Sequence, residues 1–511
     1  MVNQQSRIIK SSRNMVFGVG NQILNLILQF ITRTVFINVL GAEYLGINGL
    51  FTNILTLLSL ADLGLNTAMV YSFYKPLAVD DKTKLSALIT FYKKIYNTIA
   101  IIITIIGCSF IPFLGSIVNT ESEIPHLQIY YILFLLNTVM SYLFVYRASI
   151  IRADQKAYII SKYRMVTFIV MNILQIVFLL QTHNYIVYLL IQILCNLVNN
   201  IAITRKANKL YPFIKEKEEL AQEEKKFIID NIKSVFLYKF SSVLLNGTDN
   251  IIISKMIGTI WVGLYSNYQM IISAISSFIS IGFTSMYASI GNLVATAKEE
   301  KRKEVFNTIS LLGFFISAFT TCCLTVLIND FIQLWIGEEY ILQIEIVIAI
   351  LLNHYLACVL QPVWSFREAT GIFKKTKYVM VVCAILNIIL SIILGIYFGV
   401  AGILFASAIS RLTTYFWYEP VILFRDYFKS SARSYYWKQL KNAILTIICI
   451  SITFMITSLI KNVGIIEWIG KALIASIVTS VIYYLLYRKT NEFQYIYNNV
   501  FIKMLNKVRR K

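Results

Sequence analysis

Five ionisable side chains lie where apolar residues surround them on both sides. Asp62 stands in LLSLADLGLNTAMV and is the only charged residue between Glu43 and Lys75. Arg33 lies in QFITRTVFINV, Lys239 and Asp249 in FLYKFSSVLLNGTDNIII, and Arg411 in FASAISRLTTYF. An ion at the centre of an apolar phase costs about 2.5–3.5 kcal/mol, so such groups face a hydrated cavity or one another. A cavity bearing Arg33, Lys239 and Arg411 suits a phosphate-bearing ligand, because a guanidinium offers a fork of N–H donors to paired oxygens. The competing reading is structural: ion pairs Arg33–Asp62 or Lys239–Asp249 that brace neighbouring helices. Residue type and spacing leave both open. His354, in ILLNHYLACVL, reads as a packed polar residue rather than a proton relay.

The elements that must position these groups are membrane helices. Of the 511 residues, 57% are hydrophobic and only 14% are charged, and mean hydropathy is +0.67. A soluble chain carries about 25% charged residues. Uncharged stretches at 95–120, 165–204 and 378–410 exceed the roughly 20 residues a spanning helix needs. The spacing of apolar runs predicts fourteen helices, from 14–39 and 45–73 through 439–460 and 466–487. The basic, then apolar N-terminus reads as a first span rather than a cleaved signal.

Net charge is +21, and its placement follows the positive-inside pattern. With the N-terminus cytoplasmic, 41 of the 47 Lys and Arg fall in residues 1–14, 75–94, 147–164, 205–233, 298–303, 367–377, 425–441 and 488–511. The opposite connections 115–126, 181–184, 328–339 and 397–402 contain none. Both termini are therefore expected in the cytoplasm. The basic clusters suit anionic lipid head groups, and no nucleic-acid motif accompanies them. Lys471 and Lys255 read as snorkelling side chains near helix ends. Residues 205–233 mix charges with helix formers, as a surface helix joining two halves would. No phosphate-binding loop, metal-ligand cluster or serine-nucleophile motif is present, so the expectation is a non-enzyme without cofactor or metal.

The chain also repeats itself. A shift of 217 residues lays Gly41-x4-Gly46 on Gly258-x4-Gly263 and Thr67, Met69 on Thr284, Met286; a shift of 220 lays Arg147 and Tyr158 on Arg367 and Tyr378. The expected organisation is an N-terminal six-helix lobe (1–206), a cytoplasmic linker (207–232), a C-terminal six-helix lobe (233–430) and an appendage of two helices with a basic tail (431–511). Two such pseudo-repeated lobes around a central cleft form a transporter architecture.

With these residues in view, TRTVFINVLGAEYLGINGLFTNILTLLSLADLGLNTAMVYSFYKPLA and NGTDNIIISKMIGTIWVGLYSNYQMI resemble the paired motifs of polysaccharide and O-antigen flippases. These belong to the multidrug/oligosaccharidyl-lipid/polysaccharide exporter superfamily. The resemblance implies translocation of an undecaprenyl-diphosphate-linked oligosaccharide across the bacterial cytoplasmic membrane by alternating access, often with a coupling proton or sodium ion. On this chain it makes Arg33, Lys239 and Arg411 candidate diphosphate or sugar contacts, and Asp62 and Asp249 candidate gating or ion-coupling groups. It also implies polysaccharide polymerases and glycosyltransferases as partners. The alternatives are a drug/cation antiporter of the same superfamily, which wants an acidic cavity, and a membrane-embedded polymerase or ligase, which wants a large outer loop that this chain lacks.

Overall fold

A computed structural model of the protein describes residues 2–498 except 60–64, 121–122, 217, 287–289, 292, 295–296, 371 and 461. Every regular element among the described residues is a helix, and the protein is an all-α, multi-pass membrane protein. Nine described helices are long and apolar enough to cross a bilayer, or eleven if each of two bent pairs makes one span. Fourteen crossings are not reached by that count. Gln22–Leu58 and Tyr378–Asp426, of 37 and 49 residues, each stand once among the nine. A straight helix of 37 residues would be about 55 Å long, nearly twice the hydrocarbon thickness. Both are broken at glycines whose positive φ suits no other residue well: Gly41 at 86° and Gly399 at 57°.

The chain forms two compact units, Met1–Gly263 and Leu264–Lys511. The first contains α1 (Val2–Leu58), α2 (Leu65–Ala78), α3 (Lys82–Ser109), α4 (Leu114–Ile117), α5 (Leu127–Tyr142), α6 (Val145–Ala153), α7 (Ala157–Thr182), α8 (Tyr185–Leu210) and α9 (Gln222–Met256), and ends in the first turn of α10 (Thr259–Ser285). Here α1 packs on α7 and α9, α7 on α8, and α5 on both α3 and α8. One end of this bundle is filled with rings. Tyr185 is edge-on to Phe36, Tyr44 and Tyr130, with centroids 5.6, 5.4 and 4.9 Å away. Such pairs add roughly 0.5–1.5 kcal/mol each beyond area burial. Outward, Ile105, Ile173 and Leu194 stay exposed, as a lipid-facing surface requires.

The linker departs from expectation. It is no separate surface helix: a 3-10 turn, Pro212–Lys215, leads into non-helical chain, and the charged residues from Gln222 onward are the first turns of α9. It is strapped to the first unit. The Tyr211 hydroxyl donates to Asp154 at 2.7 Å, buried Ser86 donates to the Glu216 carbonyl at 2.5 Å, and Lys84 meets Glu224 at 2.5 Å. Burial and the neighbouring Asp154 carboxylate push the Tyr211 phenol well above its ordinary pKa, so it remains a donor.

The second unit contains α11 (Glu299–Ile336), α12 (Ile344–Val359), α13 (Gln361–Thr370), α14 (Phe373–Thr413), α15 (Tyr415–Asp426), α16 (Arg433–Thr457), α17 (Ile465–Tyr487) and α18 (Asn491–Ile496). α5 and α6 bend by 44° and α12 and α13 by 41°, so the same broken span occurs at matching points of the repeat. His354 is buried, with Thr320 Oγ1 at 3.0 Å from Nε2 and Ser276 Oγ at 3.4 Å from Nδ1.

The two C-terminal helices pack on α11 through Ala318, Cys322, Leu445, Cys449 and Tyr483. Two readings change here. The segment 328–339, expected as a loop, continues α11 to Ile336. Lys471 does not snorkel: its ammonium meets Asp330 at 2.6 Å, beside Trp468, whose Nε1–H donates to the Leu327 carbonyl at 3.1 Å. Ion pairing wins because both side chains are mostly shielded. Lys471→Met leaves the acid alone and is expected to cost about 3 kcal/mol, whereas Lys471→Met with Asp330→Leu returns near the parent; thermal unfolding of the purified variants checks this.

Candidate functional site

The end of the first unit opposite its aromatic cluster is hollow. A cavity of about 940 Å³ is lined by Gln22, Asn25, Asn137, Asn196, Asn199 and Asn200, by the hydroxyls of Thr56, Ser59, Thr138, Ser141, Tyr142 and Thr167, and by Arg164, Phe168, Met171 and Val243. Six carboxamides in one apolar bundle are the unusual feature, and Arg164 is the one charged residue among the described lining. The volume lies at the upper end of the range for small-molecule sites.

Helical periodicity builds the wall. Residues 164, 167, 168 and 171 fall on one face of α7, and 196, 199 and 200 on one face of α8. Gln22 and Asn25 are three apart on α1; Thr56, in its last turn, and Ser59, one residue past its end, lie beyond its break at Gly41. Ser141 and Tyr142 close the last turn of α5. These positions lie in the halves of the helices nearest the basic connections 147–164 and 205–233. Asn196 donates from Nδ2 to Asn137 Oδ1 at 3.0 Å, tying α8 to α5. Asn25 Oδ1 and Asn199 Oδ1 are shielded from solvent without a donor.

The residues singled out for their charge are placed elsewhere. Arg33 lies on α1 about two turns beyond Asn25, half-buried, within electrostatic reach of Tyr188 at the aromatic end. Asp249 is buried on α9. Neither is in the cavity wall. Arg411 occupies the last turn of α14 in the second unit. Asp62 lies outside the described residues, as does the side chain of Lys239, whose backbone is part of α9. The amides that form the cavity were visible as NLVNN (196–200), polar residues at helical spacing in an apolar run. A search keyed to charge passes over them.

The repeat sharpens the assignment. The 220-residue shift that pairs Arg147 with Arg367 also pairs Arg205 with Arg425 and, between them, Asn199 with Glu419. In the second unit Arg367 Nη1 bonds Glu419 Oε1 at 2.7 Å, both side chains buried. In the first unit α6 also packs on α8, but the acid is replaced by the neutral Asn199. One repeat closes its inner half with a dry ion pair, and the other keeps an amide there and a cavity.

The sequence matches the family described as "Polysaccharide biosynthesis protein" over residues 11–293. The chain belongs to that family. No curated protein matches it. Among solved structures, "Lipid II flippase MurJ, inward closed conformation" superposes with a TM-score of 0.65 at 18% identity, covering 93% of this chain and 99% of that one. An inward-facing multidrug resistance MATE family transporter of the MOP superfamily gives a TM-score of 0.55 at 13% identity, over 77% of this chain and 93% of that one. A MATE transporter from Vibrio cholerae gives 0.56 at 13% identity, over 82% and 98%. At these identities the likeness is one of fold. This polysaccharide biosynthesis protein thus shares the architecture of MOP-superfamily transporters.

Proposed function

We propose that the protein is a flippase that carries an undecaprenyl-diphosphate-linked oligosaccharide across the bacterial cytoplasmic membrane by alternating access, both termini being cytoplasmic. Membership of a polysaccharide biosynthesis family and the MurJ-like fold support this reading. The observation that carries it is the amide-lined cavity. Carboxamides and hydroxyls both donate and accept, which matches the hydroxyl and acetamido groups of a glycan. The cavity sits on the side the Lys/Arg distribution assigns to the cytoplasm, where a lipid-linked glycan would be loaded. Arg33, Lys239 and Arg411 are proposed contacts for the diphosphate, and Asp62 and Asp249 proposed gating or ion-coupling groups. Polymerases and glycosyltransferases are the proposed partners. A drug/cation antiporter is less well supported, since Arg164, the one charged residue among the described lining, would repel a cation.

The test is export of the surface glycan from cells carrying Asn196→Leu with Asn200→Leu. Each lost hydrogen bond is worth roughly 1 kcal/mol, so export is expected to fall about tenfold or more while the protein still inserts. Parental export from this pair would remove the cavity from the transport path.

A further inference from the structure

A second binding surface lies in the other unit, remote in sequence from the amide cavity. The apposed faces of α15 and α16, with the turn 427–432 between them, enclose a groove of about 600 Å³. Its two ends differ in chemistry. Trp417 and Val421, four residues apart on α15, face Trp437 and Leu440, three apart on α16, and form an apolar trough. All four are between 41% and 62% exposed, too much apolar surface to stand in water. Arg425 and Arg433 flank the mouth, at the helix ends where the chain leaves the bilayer for a basic connection.

The groove is built rather than incidental. The Trp417 and Tyr436 rings lie 4.5 Å apart, and the Tyr436 hydroxyl donates to the Trp417 carbonyl, which fixes one wall. Ser431 Oγ accepts from the Arg433 backbone N–H at 3.2 Å, which fixes the mouth. Charge there is positive on balance. Asp426 is the acid at this turn, and it is shared by Arg425 at 2.6 Å and Lys375 at 2.8 Å; Lys429 and Arg433 add two further cations. Tryptophans at the level of the head groups, with arginines just beyond them, are the arrangement of the interfacial belt.

We infer that this groove is a site for an anionic glycerophospholipid, its phosphate held between Arg425 and Arg433 and one acyl chain laid along Trp417, Val421, Trp437 and Leu440. Charge complementarity selects the head group, and the trough selects a lipid over a free anion, which would use the mouth alone. Juxtamembrane cations contribute about fivefold each to anionic-lipid binding, so two give about 30-fold. The site is independent of the flippase reading and would serve any protein with this groove.

Tryptophan fluorescence tests it, because the groove holds two of the chain's six tryptophans. The full-length protein is reconstituted and titrated with chain-brominated phosphatidylglycerol, with chain-brominated phosphatidylcholine, and with inorganic phosphate as competitor. Phosphatidylglycerol is expected to quench at about 30-fold lower mole fraction than phosphatidylcholine. Arg425→Gln with Arg433→Gln should erase that preference, and Arg425→Lys with Arg433→Lys, with an unchanged melting profile, should keep most of it. Trp437→Phe should remove part of the quench. Equal quenching by both lipids, retention of the preference in the double Gln variant, or relief of quenching by millimolar inorganic phosphate would each overturn the assignment.

Discussion

Asn199→Glu is expected to reduce glycan export by more than tenfold while leaving the protein as stable as the parent. Where the second unit holds Glu419 against Arg367 at 2.7 Å, the first has Asn199 at the matching position of α8, which packs on the α6 that carries Arg147. A carboxylate at 199 is expected to pair with Arg147 as Glu419 pairs with Arg367. Desolvating the new acid costs several kcal/mol, and the attraction plus charge-assisted hydrogen bonds return a similar amount, so the net change in stability is within about 1 kcal/mol. Function is expected to suffer because a wall amide has become part of an ion pair and the cavity gains a carboxylate facing the diphosphate of the proposed substrate. A double-mutant cycle with Arg147→Met tests the pairing of residues 147 and 199 directly. In that background Asn199→Glu leaves a buried acid unpaired and should destabilise by about 3–5 kcal/mol, measured by thermal unfolding. If Asn199→Glu costs the same with and without Arg147, the two do not form the counterpart of the Arg367–Glu419 pair.

What the sequence reveals here divides along physical lines. The membrane class and the all-helical architecture follow from apolar length and from the placement of Lys and Arg, properties that survive without knowing any contact. The paired glycine motifs were legible too, and both first glycines, Gly41 and Gly258, take positive φ at 86° and 148°. The candidate site was not read from charge. A lone ion in an apolar run draws attention because its burial cost is large, but Lys471 shows that such an ion can be spent on holding helices together. Neutral amides carry a smaller burial cost and so a weaker signal, even when six of them converge. Their convergence depends on which helices are neighbours, α5, α7, α8 and α1, and no single-sequence periodicity states that. The expected helix at 205–233 failed for a related reason: its charges do favour helix, yet Pro212 and the docking of Glu216 on Ser86 end one helix and delay the next.

The second large effect belongs to the repeated glycines themselves. Gly46→Ala and Gly263→Ala are each expected to cost about 3 kcal/mol or more, the upper range for overpacking, seen as a lowered melting temperature in detergent. A Cβ on Gly46 would stand 2.0 Å from the Thr259 carbonyl oxygen, and one on Gly263 2.2 Å from the Ala42 carbonyl oxygen and 3.1 Å from the Gly46 nitrogen. The obstacle is backbone in both directions, so no rotamer change relieves it and the helices must part. Small residues at a membrane helix crossing permit this closeness. Parting would also strain the clasp beside it, where Thr259 N–H donates to the Asn119 carbonyl at 2.6 Å, Asn119 N–H to Thr259 Oγ1 at 3.1 Å, and Ser254 Oγ to the Ile117 carbonyl at 3.0 Å. One separation relieves both clashes, so the double variant should cost less than the sum of the singles. Gly20→Ala, with nothing within 4 Å of its added carbon, is the control and should gain up to about 1 kcal/mol from helix propensity. Parental melting of Gly46→Ala would mean that the crossing yields cheaply, and that the spacing shared by the two repeats records ancestry rather than a contact the fold requires.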